Sequence, residues 1–264
     1  MREWRNGNFV NFKYAKGKTD IYGRMFHDYY EIYMLLDGEV EFINNHLKQK
    51  LNPFQVVVIP PGEYHQFAVY GDIENYERCV INIYPEIAEK NILKSALSDR
   101  ELLSFTENDR IIKNFLYLTD CLNDVSKTDF SYILSAVATD IVFLIKNSTD
   151  TKEIQTGNLS QLSLKLMDYI NEHFREELDL KILSSLFYCS VSSLCHTFKK
   201  DFGISIKKYI IQKRLTASHI ALQKGKKPEE VSIKFGFSNY SSFYRDYKKH
   251  FGVAPSQTYK KPSA

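Results

Sequence analysis

The chain has 264 residues, with 35 Lys/Arg against 32 Asp/Glu, enough length for two domains with cores of their own. Four cysteines without a CxxC pair exclude a disulfide scaffold and fit a reducing cytoplasm. No uninterrupted apolar run nears the ~20 residues of a membrane span, and the opening MREWRNGNFV lacks a signal-peptide core.

Residues 1–85 read mostly as strands. EIYMLL (31–36) runs into Asp37-Gly38 and then the alternating EVEFINN (39–45), which predicts a hairpin. VVVIPPGEYHQFAVY (56–70) reads as a buried strand, a Pro-Pro-Gly turn and a second strand. Short strands punctuated by Gly and Pro predict a small barrel or sandwich. His27-x3-Glu31-x6-Gly38 and Pro60-Pro61-Gly62-x2-His65 resemble the two sequence motifs of the cupin superfamily, which implies a cupin-like β-barrel here. By the two-residue period of a strand, His27, Tyr29, Glu31 and Tyr33 share a face, and His65 joins them if that face lines the barrel. His and carboxylate ligands suit a divalent metal. The metal-binding cupin pattern, however, has His-x-His where Met25 stands first, and glycine where Phe54 stands. No metal and no other cofactor is therefore expected. Two readings stay open: a polar small-molecule pocket built from His27, Tyr29, Glu31, Tyr33 and His65, or hydrogen-bonded structural residues around a filled interior.

Residues 86–146 change to a helical period. Ile111, Ile112, Phe115, Leu116, Leu118 and Leu122 recur at helical spacing, as do Ile133, Leu134, Val137, Ile141, Leu144 and Ile145. These helices are expected to pack on the barrel. Residues 147–158, NSTDTKEIQTGN, have no apolar period and read as a linker. The charge then reverses. Residues 1–157 hold 17 Lys/Arg against 23 Asp/Glu, while 158–264 hold 18 against 9. A basic C-terminal domain over 159–264 is the electrostatic footprint of a nucleic-acid binder.

That domain is predicted to be all helical and duplicated. PEEVSIKFGFSNYSSFYRDYKKHFGVAP (228–255) reads as a short helix opened by Pro228, a turn at Gly236, a cap at Ser238 or Asn239, and a second helix. LSSLFYCSVSSLCHTFKKDFG (183–203) repeats it: Leu194, Phe198, Lys199-Lys200, Phe202 and Gly203 recur as Phe243, Tyr247, Lys248-Lys249, Phe251 and Gly252. One extra residue lies between Ser238 and Phe243. Residues 205–224 would be the connecting helix.

This arrangement resembles the AraC/XylS family of bacterial transcription regulators, over 160–260 above all: Leu180, Leu183, Ser190, Leu194, Phe198, Gly203, Tyr209, Arg214-Leu215, Gly236-Phe237-Ser238, Phe243, Gly252 and Pro255. The family usually has alanine at Ser184 and Ser232, and often glycine near Tyr188. The expected fold class is therefore two-domain α+β: an N-terminal cupin-like barrel with following helices, and two helix-turn-helix units joined by a long helix. The resemblance implies a homodimer, with Tyr132, Ile133, Ala136, Asp140, Phe143 and Leu144 as contributors. It also implies RNA polymerase as a partner, and activation as the commoner outcome.

Base contacts are expected from Ser192, Ser193, Cys195 and His196 in the first unit, and from Tyr240, Ser241, Tyr244 and Arg245 in the second. Arg245 suits guanine O6 and N7; a phosphate or an intramolecular carboxylate is its alternative. Lys199, Lys200, Lys248 and Lys249 suit phosphates, or form a solvated face. A rigid connector would set the two reading helices in successive major grooves about 34–36 Å apart. The function expected is a sequence-specific regulator of double-stranded DNA controlled by a small molecule, for which a Tyr-rich pocket suits a sugar. A regulator without ligand, whose barrel serves dimerisation or a protein partner, is the alternative. A cupin enzyme with a DNA-binding appendage would need the metal set that Met25 breaks, so no catalytic residue is assigned.

Overall fold

The computed structural model describes residues 2–6, 10–17, 26–84, 95–97, 102–148 and 159–259. They fall into two compact units, Met1–Met25 with Tyr29–Gly157, and Phe26–Asp28 with Asn158–Ala264.

Among the described residues the first unit holds nine strands: β1 Arg2–Asn6, β2 Val10–Lys16, β3 Tyr30–Asp37, β4 Glu39–Asn44, β5 Lys48–Leu51, β6 Gln55–Ile59, β7 His65–Tyr70, β8 Glu77–Ile83 and β9 Leu102–Ser104. They form a six-stranded sheet, β1-β2-β8-β3-β6-β9, and a three-stranded sheet, β5-β4-β7. Strand β3 is buried on both faces, which is why its sequence reads as a nearly continuous apolar run. Ile32 and Met34 join Val56, Val58 and Ile81 in a core with two helices, α1 (Arg110–Asp124) and α2 (Lys127–Asn147). Tyr33 and Leu35 point the other way, into a second core with Val40 and Phe42 of the smaller sheet.

Two expectations need correction. Asp37-Gly38 does not close a hairpin. Strand β3 pairs with β6 and β8, whereas β4 pairs with β5 and β7, so the turn carries the chain from one sheet to the other. The turn residues were right, since Gly38 (φ 100) lies where a Cβ would be 2.9 Å from Tyr76 Cα, but the pairing is set by strands far along the chain. Within the stretch expected to be helical, Leu102–Ser104 is instead a strand completing the β6 edge. Three residues are too few to show a period. Helix α2 is the one helix among the described residues long and apolar enough to cross a membrane. Phe130, Leu134, Ala138, Ile141, Val142 and Ile145 of α2 are buried, and all belong to the core it shares with the six-stranded sheet.

The second unit contains α3 (Gln161–His173), α4 (Leu180–Leu186), α5 (Val191–Phe202), α6 (Ile206–Gln223), α7 (Pro228–Lys234), α8 (Tyr240–Phe251) and α9 (Pro255–Thr258). Side-chain caps explain most starts. Ser160, Asp179, Ser190, Ser205 and Asn239 each accept a backbone N–H of the first turn. Pro228 opens α7 at a position whose N–H would be unpaired anyway. Helices α5 and α8 both stop at a left-handed glycine, Gly203 and Gly252.

Candidate functional site

The two helix-turn-helix units are α4–α5 and α7–α8. Each first helix ends in the same double hydrogen bond. Tyr188 N donates to Ser185 O and Cys189 N to Ser184 O (3.3 and 3.0 Å); Gly236 N donates to Ile233 O and Phe237 N to Ser232 O (3.1 Å each). Such an end requires a left-handed residue, and both units supply one, Tyr188 at φ 52 and Gly236 at φ 77. Ser184 and Ser232 are buried where alanine was expected, and each hydroxyl donates back to its own helix, to Lys181 O (2.9 Å) and Glu229 O (2.8 Å). Their burial therefore leaves no hydroxyl unsatisfied.

Asn239, not Ser238, caps α8: its Oδ1 accepts from Ser242 N at 2.8 Å, as Ser190 Oγ accepts from Ser193 N at 3.1 Å. From these caps onward the helices align residue for residue. Leu194 and Phe198 are buried in α5, Phe243 and Tyr247 in α8. On the opposite side Ser192, His196, Lys199 and Lys200 are exposed and Cys195 half-buried; Ser241, Tyr244, Arg245, Lys248 and Lys249 are exposed at the matching places. Ser193 is also exposed, while Tyr240 is half-buried and packs on Phe243 with ring centroids 5.9 Å apart. Ser241, Tyr244, Arg245 and Lys248 follow i, i+3, i+4, i+7 and so form one stripe.

Packing behind the stripes is fixed by polar ties that the sequence did not disclose. Arg214 of α6 donates to three carbonyls: Phe174 O (Nε, 2.6 Å), Glu176 O (Nη2, 2.6 Å) and Gly236 O (Nη1, 2.7 Å). It clamps the end of α3 to the turn of the second unit. Buried Asp201 accepts from Ser160 N and Oγ (3.1 and 2.7 Å), joining the end of α5 to the start of α3. Arg214 sits beside Lys213 in a basic helix, where sequence alone cannot tell a clamp from a surface cation.

In the β domain, Glu31 and Tyr33 share the inner face of β3 as expected. Tyr33 is fully buried, its hydroxyl 3.0 Å from that of Tyr76 and its ring stacked on Phe67 at 3.9 Å. It fills the interior rather than lining open space. Glu31 Oε1 lies 3.8 Å from His65 Nε2. Burial raises the Glu31 carboxyl to about 7, against the pull of Lys13 and Arg78, and lowers the His65 imidazole to about 4. At neutral pH His65 is thus uncharged, so the contact is not an ion pair. Tyr29 packs on Tyr84 at 4.9 Å. His27 is buried and lies in the segment Phe26–Asp28, which belongs to the second compact unit.

Two exposed polar stripes on a duplicated helix-turn-helix, in the same chain as a two-sheet β domain, define a DNA-binding regulator with a sensor domain. The chain matches the AraC-like ligand binding domain over residues 12–139 and a helix-turn-helix domain of the same family over 183–261, and it belongs to the AraC family of transcription regulators. The HTH-type transcriptional regulator YdiP of Escherichia coli K12 is 28% identical over 76% of this chain and 68% of its own. YobQ of Bacillus subtilis, another HTH-type transcriptional regulator, is 26% identical over 90% of this chain and 88% of its own. Among solved structures, ToxT of Vibrio cholerae is 15% identical, with 95% of this chain and 97% of that chain covered and a TM-score of 0.38.

Proposed function

We propose that this regulator is a cytoplasmic, homodimeric transcription activator that reads two base motifs in successive major grooves with α5 and α8, under the control of a small molecule held in the β domain. The observation that carries the reading is the equivalence of the two stripes: His196 and Arg245 occupy the same place on helices with the same cap, the same buried anchors and the same stop. Arg245 donates two hydrogen bonds to guanine, and Tyr244 meets a thymine methyl or a phosphate. Ser192, Ser193, Cys195, His196, Tyr240 and Ser241 complete the base-facing set. Lys199, Lys200, Lys248 and Lys249 neutralise phosphates and fix register.

Dimerisation is supported by α2. Tyr132 and Phe143 stand 73% and 60% exposed on the side away from its buried stripe, and Ala136 lies between them. Effector binding favours one dimer geometry over another and so selects which DNA sites are held together. RNA polymerase is the partner that activation requires.

The test is selection of bound sequences from a random duplex pool with the full-length chain. Enriched sites carrying two motifs about one helical turn apart support the reading. Binding that depends only on salt, with no enriched motif with or without added ligands, would overturn it.

A further inference from the structure

The two reading helices are joined by more than the connecting helix. Helix α6 follows α5 after the left-handed Gly203 and leads to α7 through Gly225 (φ 78). A single strut with a glycine turn at each end fixes a distance but leaves rotation at both turns. Helix α3, about 20 Å long at 1.5 Å per residue, supplies a second strut. Its start is tied to the end of α5 by Asp201, and its last turn to α6 by Tyr209 OH, which donates to Asn171 Oδ1 at 2.6 Å. Its end is tied to the turn of the second unit by Arg214.

The last of these joints is backbone against backbone. Gly236 lies so near Arg175 O that a Cβ there would stand 2.5 Å from it. Phe174 and Phe235, both buried, stack with ring centroids 6.3 Å apart, and the Arg175 guanidinium lies over both rings. The Arg214 guanidinium then bridges Phe174 O and Glu176 O, at the end of α3, to Gly236 O, with one donor nitrogen for each. Glu176 is exposed, so water can serve its carbonyl without Arg214. Three charge-assisted bonds from one planar fork fix direction as well as distance, which an apolar contact alone does not.

We infer that Arg214 is a positioning residue for DNA recognition, setting the separation and rotation of α8 relative to α5 and so the spacing of the two base motifs the chain accepts. This rests on the reading above that α5 and α8 enter successive major grooves. Each base pair inserted between the motifs moves the second by about 3.4 Å along the duplex and roughly a tenth of a turn around it. A held joint resists that change and discriminates between spacings; a released joint follows it. Arg214 acts through the turn that leads into α8, not on a base.

The experiment is titration of the full-length chain against duplexes carrying both selected motifs, at the selected spacing and at one or two base pairs more or fewer. Single-base changes within each motif are titrated beside them. Wild type is expected to lose about tenfold or more in affinity for a shift of one base pair. Arg214→Lys keeps the charge without the fork, and Arg214→Met keeps the stem alone; both are expected to flatten the spacing preference to about threefold or less. Base preference within each motif should stay as in wild type, because both reading helices are intact. Where Arg214→Met loses its cooperative melt, Arg214→Lys alone decides. Loss of base preference at the second motif, at every spacing, would mean that Arg214 serves only the folding of the second unit, which overturns the assignment. A spacing preference as sharp in the variants as in wild type overturns it as well. Equal binding of wild type to all spacings, with both motifs still read, overturns the inference and leaves the two-motif reading standing. Selection that yields no second motif overturns both.

Discussion

The two helix-turn-helix units follow one backbone plan with different chemistry. Tyr188 matches Gly236 and Leu194 matches Phe243, so the second unit carries one more residue, and the structure places it in the turn between Gly236 and the cap Asn239. In the first unit the left-handed position is held by tyrosine, 97% exposed. In the second, a Cβ on Gly236 would lie 2.5 Å from Arg175 O and 3.1 Å from the Arg214 guanidinium carbon. The hydrogen-bond pattern at the helix end dictates the left-handed backbone in both units. Whether a side chain is allowed there is decided by what packs against it, and in the second unit the Arg175 backbone, with Arg214 beside it, closes that space.

The largest way to break the comparison is Gly236→Ala. It combines a left-handed alanine with a clash against backbone, and is expected to destabilise the second unit by at least ~3 kcal/mol. Urea unfolding of the full chain followed by tryptic susceptibility of α7–α8 measures it. A loss under ~1 kcal/mol would show that the α3 end and the Arg214 clamp yield easily.

Glu31 and His65 form a second contrasting pair, with opposite linkage signs. The Glu31 carboxyl is raised from 4.5 to about 7, so the folded chain binds its proton more tightly and this group's contribution falls as pH rises from 4.5 to 7. The His65 imidazole is lowered from 6.5 to about 4, so the unfolded chain holds the proton and stability rises from pH 4 to 6.5. Each effect is on the order of 3 kcal/mol, and in the wild type they nearly cancel between pH 4.5 and 6.5. Glu31→Gln should leave a stability that climbs with pH over that window, and His65→Gln one that declines. Urea midpoints at pH 4.5, 5.5 and 6.5 check both slopes; parallel slopes in the two variants would refute the opposition.

A smaller effect sharpens the comparison at the reading face. Arg245→Ala should cost ~1–3 kcal/mol on a selected site and relax preference at one base position. His196→Ala, at the same place in the first unit, should cost less, because imidazole does not make the two parallel hydrogen bonds to guanine that guanidinium does. Titrations of both variants against the selected site and single-base changes of it decide the order. An equal loss on every sequence would reduce Arg245 to a phosphate contact.

How far these features could be read beforehand depended on whether they were local. The caps, the buried anchors and the exposed stripes repeat within twelve residues, and a 3.6-residue period exposes them. Phe54, where the resembled cupin motif has glycine, and Tyr188, near which the resembled family often has one, are the two non-glycine residues with positive φ among the described residues, at 64 and 52. The Asp37-Gly38 turn was legible but not the sheets it joins, since pairing is set by partners far along the chain. The role of Arg214 could not be read beforehand, because its three acceptors come from two other segments.

The smallest predicted effect returns to the turn of the first unit. Tyr188 holds a conformation that costs a non-glycine residue roughly 1–2 kcal/mol, and its exposed ring gives little burial in return. Tyr188→Gly removes that strain but adds unfolded-state entropy of about 0.5–1 kcal/mol, so a net stabilisation of up to ~1 kcal/mol is expected. Tyr188→Ala keeps the strain and removes the ring, and should leave stability within about 0.5 kcal/mol of wild type. The two variants separate backbone from side chain by urea unfolding. If both destabilise by more than ~1 kcal/mol, the ring packs in the groove it lines with Leu162, Tyr169 and Leu186. The first unit would then keep its tyrosine for contacts rather than tolerate it for want of anything in the way.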